Sequence, residues 1–334
     1  MRTGRGVTGA GGRASWVVGS VESRPAVRVG VVDIGTNSTR LLIADAADGA
    51  VSEIERRSTV TRLGDGVDAT GALGEQPRAR VLATLEAYVA AIDAHGCEAR
   101  PAVMTSAVRD AANGAEFAAT VRDRFGLDAR TLSGEEEARL TYLGATAARD
   151  PADPTELLVA DIGGGSTELV VGSGGGVRFH VSTQAGVVRH SERHLHRDPP
   201  TAEERRALAA DVRAVVREAI PDDVRARVAA AVAVAGTATS CAAIDLALDP
   251  YDARRVEGHP LSLAVLEAML ERLAGMTLAQ RRDVTGLDPA RAPVIVAGVI
   301  ILVEVLRAFG LDRVAASEHD ILWGVALAAA RRGG

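Results

Sequence analysis

The sequence predicts a two-domain α/β protein with a cleft between its domains. Three observations support this fold class: a length of 334 residues, strand-like segments that alternate with helix-like ones, and an internal duplication. A chain of this length can bury two separate cores. Strands that alternate with helices are typical of layered α/β folds.

The duplication is a pattern in which an apolar run ends in Asp-Ile-Gly and is followed by small and hydroxyl-bearing residues and a second apolar run. One copy spans Val29–Asp45 and the other Leu157–Gly172. Each copy predicts two strands joined by a Gly-containing turn. Glycine lets backbone amides approach an anion closely, and an Asp before each turn (Asp33, Asp161) can hold a metal ion or its waters. The two hairpins therefore indicate two related halves that face a shared phosphate.

The remaining elements follow from apolar periodicity and from Gly and Pro positions. Before the second hairpin we expect strands over Val51–Glu55, Ala102–Thr105 and Arg130–Leu132. We also expect a helix over Gln76–His95 that Gly96 ends, a loop over Ser106–Asp110, and after that loop a helix that ends at Phe125. After it we expect strands over Val177–Ser182 and Ala231–Ala235, and helices over Gly186–Leu195, Ala202–Ala219, Pro221–Ala230, Ala235–Leu248, Leu261–Ala274, Ala290–Phe309 and Asp320–Arg331.

These elements suggest a discontinuous first domain. Residues 1–26 are rich in Gly, Arg and Ser without periodicity, and we expect a disordered N-terminal tail. Residues 27–132 with 313–334 are predicted to form domain I, because the last helix is expected to return to it. Residues 133–312 are predicted to form domain II.

Composition excludes several functions. The net charge of −6 argues against a nucleic-acid-binding face, and no apolar run reaches the roughly 20 residues of a membrane span. All 38 basic residues are Arg, which excludes a Walker-A loop because that motif needs Lys. Two cysteines cannot form a disulfide framework, so we expect a cytoplasmic protein. A homodimer is compatible with these observations.

Two further segments carry polar chemistry. Val232–Ser240 reads as a buried strand, a Gly-Thr turn and a helix start, which predicts a third anion site. His190 and His194 lie four residues apart on a predicted helix, a spacing seen in metal sites. The residues around them lack the HExxH pattern, and we interpret them as a solvated helix face.

Ser133-Gly134-Glu135-Glu136-Glu137 predicts the start of a helix. Ser133 with Glu136 three residues later matches a capping box, and acidic residues in a first turn suit the helix dipole. The cap accounts for Glu136 and leaves Glu137 without a structural role.

Three Gly-containing elements in this order resemble the actin, sugar-kinase and heat-shock chaperone superfamily. Within it, the chain is most similar to the exopolyphosphatase/guanosine-pentaphosphatase family. Seven segments spread over residues 27–330 carry the resemblance: DIGTNS (33–38), TRLGDG (61–66), TSAVRDA (105–111), SGEEEARL (133–140), DIGGGSTE (161–168), AGTATS (235–240) and SEHD (317–320). The chain departs from many relatives at Leu322-Trp323-Gly324, where they have Arg-Glu-Gly. The resemblance implies two actin-like (ribonuclease H-like) α/β domains.

The resemblance also implies roles for individual residues. Glu137 and Glu168 would be catalytic carboxylates that face each other across the cleft, and Asp33 and Asp161 would hold Mg²⁺, with Mn²⁺ as an alternative. Phosphate-binding residues would come from the turns and their neighbouring loops: Gly35, Asn37, Ser38, Arg62, Arg109, Gly163, Gly164, Gly165, Ser166, Thr167, Gly236 and Thr237. For Arg109, an ion pair with Asp110 or another surface carboxylate is the alternative.

The function implied is a Mg²⁺-dependent phosphoanhydride hydrolase. Its substrate would be inorganic polyphosphate or guanosine pentaphosphate, a nucleotide of the stringent response, and it would release the terminal phosphate. Two alternatives stay open: a small-molecule kinase of the same fold, and a non-catalytic sensor that binds guanosine pentaphosphate or another nucleotide. The two glutamates favour a hydrolase over a kinase, because a kinase does not need a second water-activating carboxylate.

Overall fold

Two mixed β-sheets, each covered by helices, divide the chain into two halves in the computed structural model. The structure describes residues 26–47 and 49–332, so the expected disorder of residues 1–25 falls outside the described residues. The predicted fold class, two actin-like α/β domains with a cleft between them, is confirmed. No helix in the described part of the chain is both long and apolar enough to span a bilayer.

The first sheet has the strand order β3-β2-β1-β4-β5. Its strands are β1 (Val27–Ile34), β2 (Ser38–Ala47), β3 (Ala50–Val60), β4 (Pro101–Met104) and β5 (Asp128–Thr131). The first three strands are antiparallel, whereas β1, β4 and β5 run parallel. The helices that follow in sequence are α1 (Val67–Thr70), α2 (Glu75–Ala94), α3 (Ser106–Asp110) and α4 (Gly114–Phe125).

The second sheet repeats this arrangement in the order β10-β11-β9-β6-β7-β8. Its strands are β6 (Leu157–Ile162), β7 (Thr167–Ser173), β8 (Gly176–Thr183), β9 (Ala230–Val234), β10 (Pro260–Ser262) and β11 (Arg313–Ala316). Again three antiparallel strands adjoin a parallel set, β6, β9 and β11. The duplication read from the hairpins therefore extends to the topology of both sheets.

The second half carries most of the helices. They are α5 (Gly134–Ala145), α6 (Val187–His194), α7 (Ala202–Ala219), α8 (Asp222–Arg225), α9 (Ala235–Asp245), α10 (Ala253–Val256), α11 (Leu263–Ala274), α12 (Leu278–Arg282) and α13 (Ile295–Phe309). The last helix, α14 (Ile321–Arg332), lies on the first half. A large core of Leu, Ile, Val and Ala joins α7, α9, α11 and α13 to one face of the second sheet. The corresponding core of the first half lies between α2, α4 and the first sheet.

Two crossing helices, α5 and α14, fill the space between the sheets. Ala138 and Tyr142 of α5 pack on Leu157 and Val159 of the second sheet. Leu322 of α14 and its apolar neighbours pack on the first sheet instead. The last helix therefore lies on the first half of the molecule, and the chain passes between the halves just before α5 and just before α14.

Several element predictions need correction. Residues 313–316, assigned to domain I, form β11 of the second sheet, because they pair with β9 and β10. Ser106–Asp110 forms a short helix rather than a loop. Only Asp222–Arg225 of the segment predicted as helix over 221–230 is helical. These are short segments, and local periodicity is weak over four or five residues.

The crossing of α5 and α14 depends on two glycines. A Cβ at Gly144 would lie 2.0 Å from the carbonyl oxygen of Asp320, and one at Gly324 would lie 1.8 Å from that of Leu140. The colliding atoms are backbone atoms, so no side chain can rotate away. We expect Gly144→Ala or Gly324→Ala to lower the free energy of unfolding by about 1–3 kcal/mol or more, measured by urea denaturation.

Gly275→Ala is the matched control for this prediction. Gly275 ends α11 with a φ of −79°, and its Cβ would lie no closer than 3.4 Å to another atom. The control should change stability by less than about 0.5 kcal/mol. Equal stability of all three variants would show that the two helices can separate without cost.

Candidate active site

A cleft opens where the turns of the two hairpins face each other at the carboxyl ends of β1 and β6. Its lining comes from both halves: Asp33, Gly35, Thr36, Asn37, Ser38, Arg40, Thr105, Ser106, Glu137, Asp161, Ile162, Gly163, Gly164, Ser166, Val187, Ala235, Gly236, Thr237, Arg291, Val294, Ile295 and Ile321. Three carboxylates and two guanidinium groups line this small space. The cleft is therefore a strongly polar site in a molecule otherwise built on aliphatic cores.

The two turns nearly touch, and glycine makes this approach feasible. A Cβ at Gly164 would lie 2.7 Å from the Cβ of Thr36. Thr36 is itself fixed, because its hydroxyl pairs with that of Ser106 at 2.8 Å and accepts the amide of Ala107 at 3.1 Å. Backbone amides of both turns are thus presented to one ligand, as an anion site requires.

The two hairpins have the same register and carry different charges at the same position. Asp33 pairs with Arg40 across β1 and β2, and Asp161 pairs with Glu168 across β6 and β7. In both hairpins the two partners are seven residues apart. The first hairpin therefore holds an ion pair, whereas the second holds two carboxyl groups side by side.

Arg40 is the central cation of the first half. Its Nε and Nη2 donate to Oδ2 of Asp33 at 2.9 and 2.6 Å, and its Nη1 donates to Asp320 just before α14. The carboxylates raise the pKa of Arg40 against the opposing effect of burial. Burial raises the pKa of Asp33, and Arg40 counteracts that rise.

Glu137 projects from the first turn of α5. The predicted capping box is confirmed: the Ser133 hydroxyl accepts the Glu136 amide at 3.2 Å, and the Glu136 carboxylate accepts the Ser133 amide at 3.0 Å. Glu137 is free of the cap and accepts a hydrogen bond from Nη1 of Arg109 at 2.8 Å. Burial and the neighbouring Glu168 raise the pKa of Glu137 well above its usual value.

Glu168 is held by hydroxyl groups. Its Oε1 accepts hydrogen bonds from Ser166 at 2.7 Å and from Ser182 at 2.8 Å, and its side chain is only 1% exposed. Burial raises its pKa. Burial and Glu168 also raise the pKa of Asp161, to about 8. Buried carboxyl groups with raised pKa values in a cleft are characteristic of sites that transfer protons.

Arg291 lies on the third Gly-containing element. Its guanidinium occupies the place where Gly236 lacks a side chain, because a Cβ there would lie 1.5 Å from Nη1. Burial and the nearby Arg40 lower the pKa of Arg291 despite the attraction of Asp288. An arginine whose charge is destabilised in this way favours an anionic ligand beside it.

Comparison with known proteins identifies the family to which the chain belongs. A profile of the Ppx/GppA phosphatase family matches residues 42–330. The chain belongs to the Ppx/GppA phosphatase family. A relative named exopolyphosphatase 2, from Mycobacterium tuberculosis, is 37% identical over 320 residues, which are 91% of this chain and 98% of the relative.

Solved structures of the family show the same fold. The Aquifex aeolicus member of the Ppx/GppA family is 32% identical with a TM-score of 0.77, over 93% of this chain and 99% of that one. An exopolyphosphatase from Cytophaga hutchinsonii is 25% identical with a TM-score of 0.82, over 91% and 98%. The family resemblance read from the seven motifs is therefore confirmed.

Most of the site residues expected from the family motifs line the cleft. These are Asp33, Gly35, Asn37, Ser38, Glu137, Asp161, Gly163, Gly164, Ser166, Gly236 and Thr237. Gly165 and Thr167 lie behind the turn: Gly165 faces Ser106, and the Thr167 hydroxyl donates to the Ala185 carbonyl. Glu168 also lies behind the lining, on the same half as Glu137 rather than across the cleft, since Ser182 contacts both Glu168 and the start of α5.

The two arginines expected to bind phosphate are engaged with the protein. Arg109 lies 3.8 Å from Asp110, the ion-pair partner named in the alternative, and forms a closer ion pair of 2.8 Å with the buried Glu137. Arg62 has a left-handed φ of 49°, and its Nη2 donates to the carbonyl of Ala290 at 3.3 Å. The cations that line the cleft are Arg40 and Arg291, which the sequence analysis missed.

The sequence contains a pattern that could have identified one of these two arginines, Arg40, as a residue of the cleft. Arg40 follows Ser38 by two residues in β2, so both side chains point to one face of the strand. A charged residue there interrupts an apolar strand directly opposite Asp33. Arg291 comes from 55 residues beyond Gly236 and precedes an apolar helix, and nothing in its local sequence marks it.

The carboxylates at the base of the cleft fit a hard divalent cation. The Oδ1 atom of Asp33 is buried without a hydrogen-bond partner among the described residues. Within the described part of the chain, the Asp161 carboxylate accepts just one long hydrogen bond, of 3.4 Å from the Thr141 hydroxyl. Carboxylate oxygens that lack protein donors at a phosphate-binding cleft are the ligands that Mg²⁺ and Mn²⁺ prefer.

Asp161 makes a testable contribution to stability in metal-free solution. Its pKa is near 8 in the folded protein and 3.8 without its surroundings, so the folded state binds an extra proton between these values. The free energy of unfolding should therefore fall as pH rises from about 4 to 8. Asp161→Asn should flatten that slope and stabilise the protein at pH 8 by on the order of a few kcal/mol in urea denaturation.

Asp153→Asn is the contrasting control. Asp153 is half-buried at the surface, and the Thr155 amide and Arg149 lower its pKa to about 2. Its stabilising effect is present at neutral pH and is lost as pH falls towards 2, so the substitution should not stabilise the protein at pH 8. If Asp161→Asn left the pH dependence unchanged, Asp161 would be ionised in the folded protein.

Proposed function

We propose that this chain is an exopolyphosphatase that releases the terminal phosphate of inorganic polyphosphate. The observation that carries the proposal is the pair of buried carboxyl groups with raised pKa values, Glu137 and Glu168, beside two turns that present amides to a phosphate. Family membership and the names of the relatives support the same activity. Guanosine pentaphosphate, which also ends in a phosphoanhydride, is the second substrate we consider.

Glu137 is the proposed general base. Hydrolysis of a phosphoanhydride requires a water molecule to be oriented and to lose a proton as it attacks phosphorus. Glu137 lines the cleft, and Arg109 holds one of its oxygens, which fixes the carboxylate and leaves the other oxygen for water. Its raised pKa makes it a stronger base than an exposed glutamate. Glu168, fixed by Ser166 and Ser182, keeps the pKa of Glu137 high through its charge.

The polyanion would be bound by neutral donors and by one arginine, Arg291. Ser38 has a buried hydroxyl without a hydrogen-bond partner among the described residues, and Asn37 and Ser166 also line the cleft. Arg291 would supply positive charge on the side of the third Gly-containing element. Arg40 is largely neutralised by Asp33 and Asp320, so its main effect is to position those carboxylates.

Mg²⁺ or Mn²⁺ is the proposed cofactor. Asp33 and Asp161 would hold it, directly or through its waters, and the ion would neutralise charge on the phosphoryl group being transferred. The protein residues supply the remaining functions: Arg40 orients Asp33, Thr141 contacts Asp161, and the turns position phosphate oxygens.

The deciding experiment measures phosphate release from polyphosphate and from guanosine pentaphosphate, each with Mg²⁺, with Mn²⁺ and with a chelator. We expect release from polyphosphate that the chelator abolishes. Phosphate transfer to a small acceptor without hydrolysis would support the kinase alternative instead. Tight binding of guanosine pentaphosphate without turnover would support a sensor. The cytoplasmic location and a homodimer stay predictions.

The two glutamates provide the main mutational prediction. Glu137→Gln and Glu168→Gln should each lower kcat by about 10²–10⁴-fold while KM changes much less, because the first removes the proposed base and the second removes the carboxyl group that raises the pKa of that base. Glu135→Gln is the matched control, since Glu135 is exposed in the same helical turn. Wild-type turnover by either of the first two variants would contradict the mechanism.

A second prediction concerns the polyanion site. Arg291→Gln should raise KM for polyphosphate by about tenfold, because a charge-assisted hydrogen bond contributes roughly 1.5–3 kcal/mol. Binding should also weaken with salt, and less steeply in the variant than in the wild type. Arg313→Gln is the control, since Arg313 is exposed and paired with its neighbour Asp312. Equal KM values for the two variants would place the polyanion elsewhere.

A further inference from the structure

We propose that His190, His194 and Asp211 form a binding site for a transition-metal ion, with Zn²⁺ as the expected occupant, outside the phosphate cleft. The two histidines lie one turn apart on α6, and Asp211 comes from the facing helix α7. One ligand atom from each of the three lies within 4.8 Å of the others. This juxtaposition corrects the interpretation of the histidines as a solvated helix face, because His190 is only 1% exposed.

His190 is arranged as a metal ligand. Its Nδ1 lies 3.2 Å from the carbonyl oxygen of Gly186, so Nδ1 carries the proton and Nε2 has the free lone pair. Nε2 is buried and has no hydrogen-bond partner among the described residues. A ring nitrogen fixed by a carbonyl, with the opposite nitrogen directed at other ligands, is the usual arrangement of a metal-bound histidine.

The distances suit a small tetrahedral ion. Nε2 of His190 lies 3.5 Å from Oδ2 of Asp211, and Nε2 of His194 lies 2.9 Å from the same oxygen. Ligands bound to Zn²⁺ at about 2.0–2.2 Å lie a little over 3 Å apart. Modest side-chain rotation would place all three atoms around one ion, with water in the fourth position. Imidazole ligands favour Zn²⁺ over Mg²⁺.

A purely structural role explains only part of the cluster. The hydrogen bond between His194 and Asp211 satisfies those two side chains without an ion. It leaves the buried Nε2 of His190 unpaired, which typically costs about 1–3 kcal/mol. A metal ion bound to Nε2 of His190 would give this buried nitrogen a partner.

The ion would stabilise a helix that supports the phosphate turn. The amides of Val187 and Val188 at the start of α6 donate to the carbonyls of Gly163 and Gly164 at 3.0 and 2.8 Å. Nε of Arg189 donates to the carbonyl of Gly165 at 2.8 Å. A metal bridge from α6 to α7 would tie this helix to the core, without placing the ion at the reacting phosphate.

Zinc binding by the metal-depleted full chain tests the proposal. We expect titration calorimetry and elemental analysis to give one tightly bound Zn²⁺ per chain, and Co²⁺ to give the visible absorption of a tetrahedral site. Zn²⁺ should raise Tm, because it binds the folded state. His194→Gln and Asp211→Asn should each weaken Zn²⁺ binding at least tenfold and reduce the rise in Tm.

His196→Gln is the matched control, since His196 is exposed two residues beyond His194 and lies outside the cluster. It should bind Zn²⁺ as the wild type does. The chosen variants alter partly exposed side chains, and their Tm without metal will show that they fold. Absence of Zn²⁺ binding, or binding that His194→Gln and Asp211→Asn leave unchanged, would overturn the proposal. Because hydrolysis is not measured, this outcome is independent of the proposed function.

Discussion

The contact of Arg40 with Asp33 and Asp320 is the interaction on which the arrangement of the cleft depends. It joins the first hairpin to the residue that precedes α14, and α14 in turn crosses α5, which carries Glu137. Removing one partner of a buried ion pair leaves an uncompensated charge, typically at a cost of 3–5 kcal/mol. Arg40 therefore allows several carboxylates to share a small volume while the two halves stay in contact.

In the second half, the position opposite the aspartate is occupied by Glu168 instead of by an arginine. Asp161 and Glu168 face each other, and Glu137 lies close by, with its charge offset by Arg109. Two ionised carboxylates at short distance are unfavourable, so protons are retained to higher pH. The protein thus gives up some stability at neutral pH and gains carboxyl groups that can exchange protons. Under the proposed mechanism, stability and activity are opposed at these positions.

The sequence was most informative where chemistry and backbone geometry coincide. Both hairpins were predictable, because glycine turns, β-branched runs and the leading aspartates give one pattern twice. The capping box of α5 was also predictable, and it isolated Glu137 as a residue without a structural role. Contacts between distant segments were not predictable in the same way. Arg291 reaches Gly236 from a loop 55 residues away, and the four residues of β11 do not reveal which sheet they join.

The shared register of the two hairpins has an evolutionary consequence. A duplicated ancestor with identical halves would have carried the same residue opposite each aspartate. In the present chain that single position is Arg40 in one half and Glu168 in the other. Exchange of one charge at a fixed point in the ladder turns an ion pair into a pair of carboxyl groups, with both backbones preserved. Divergence of function after duplication can then begin with one codon, before any change of fold.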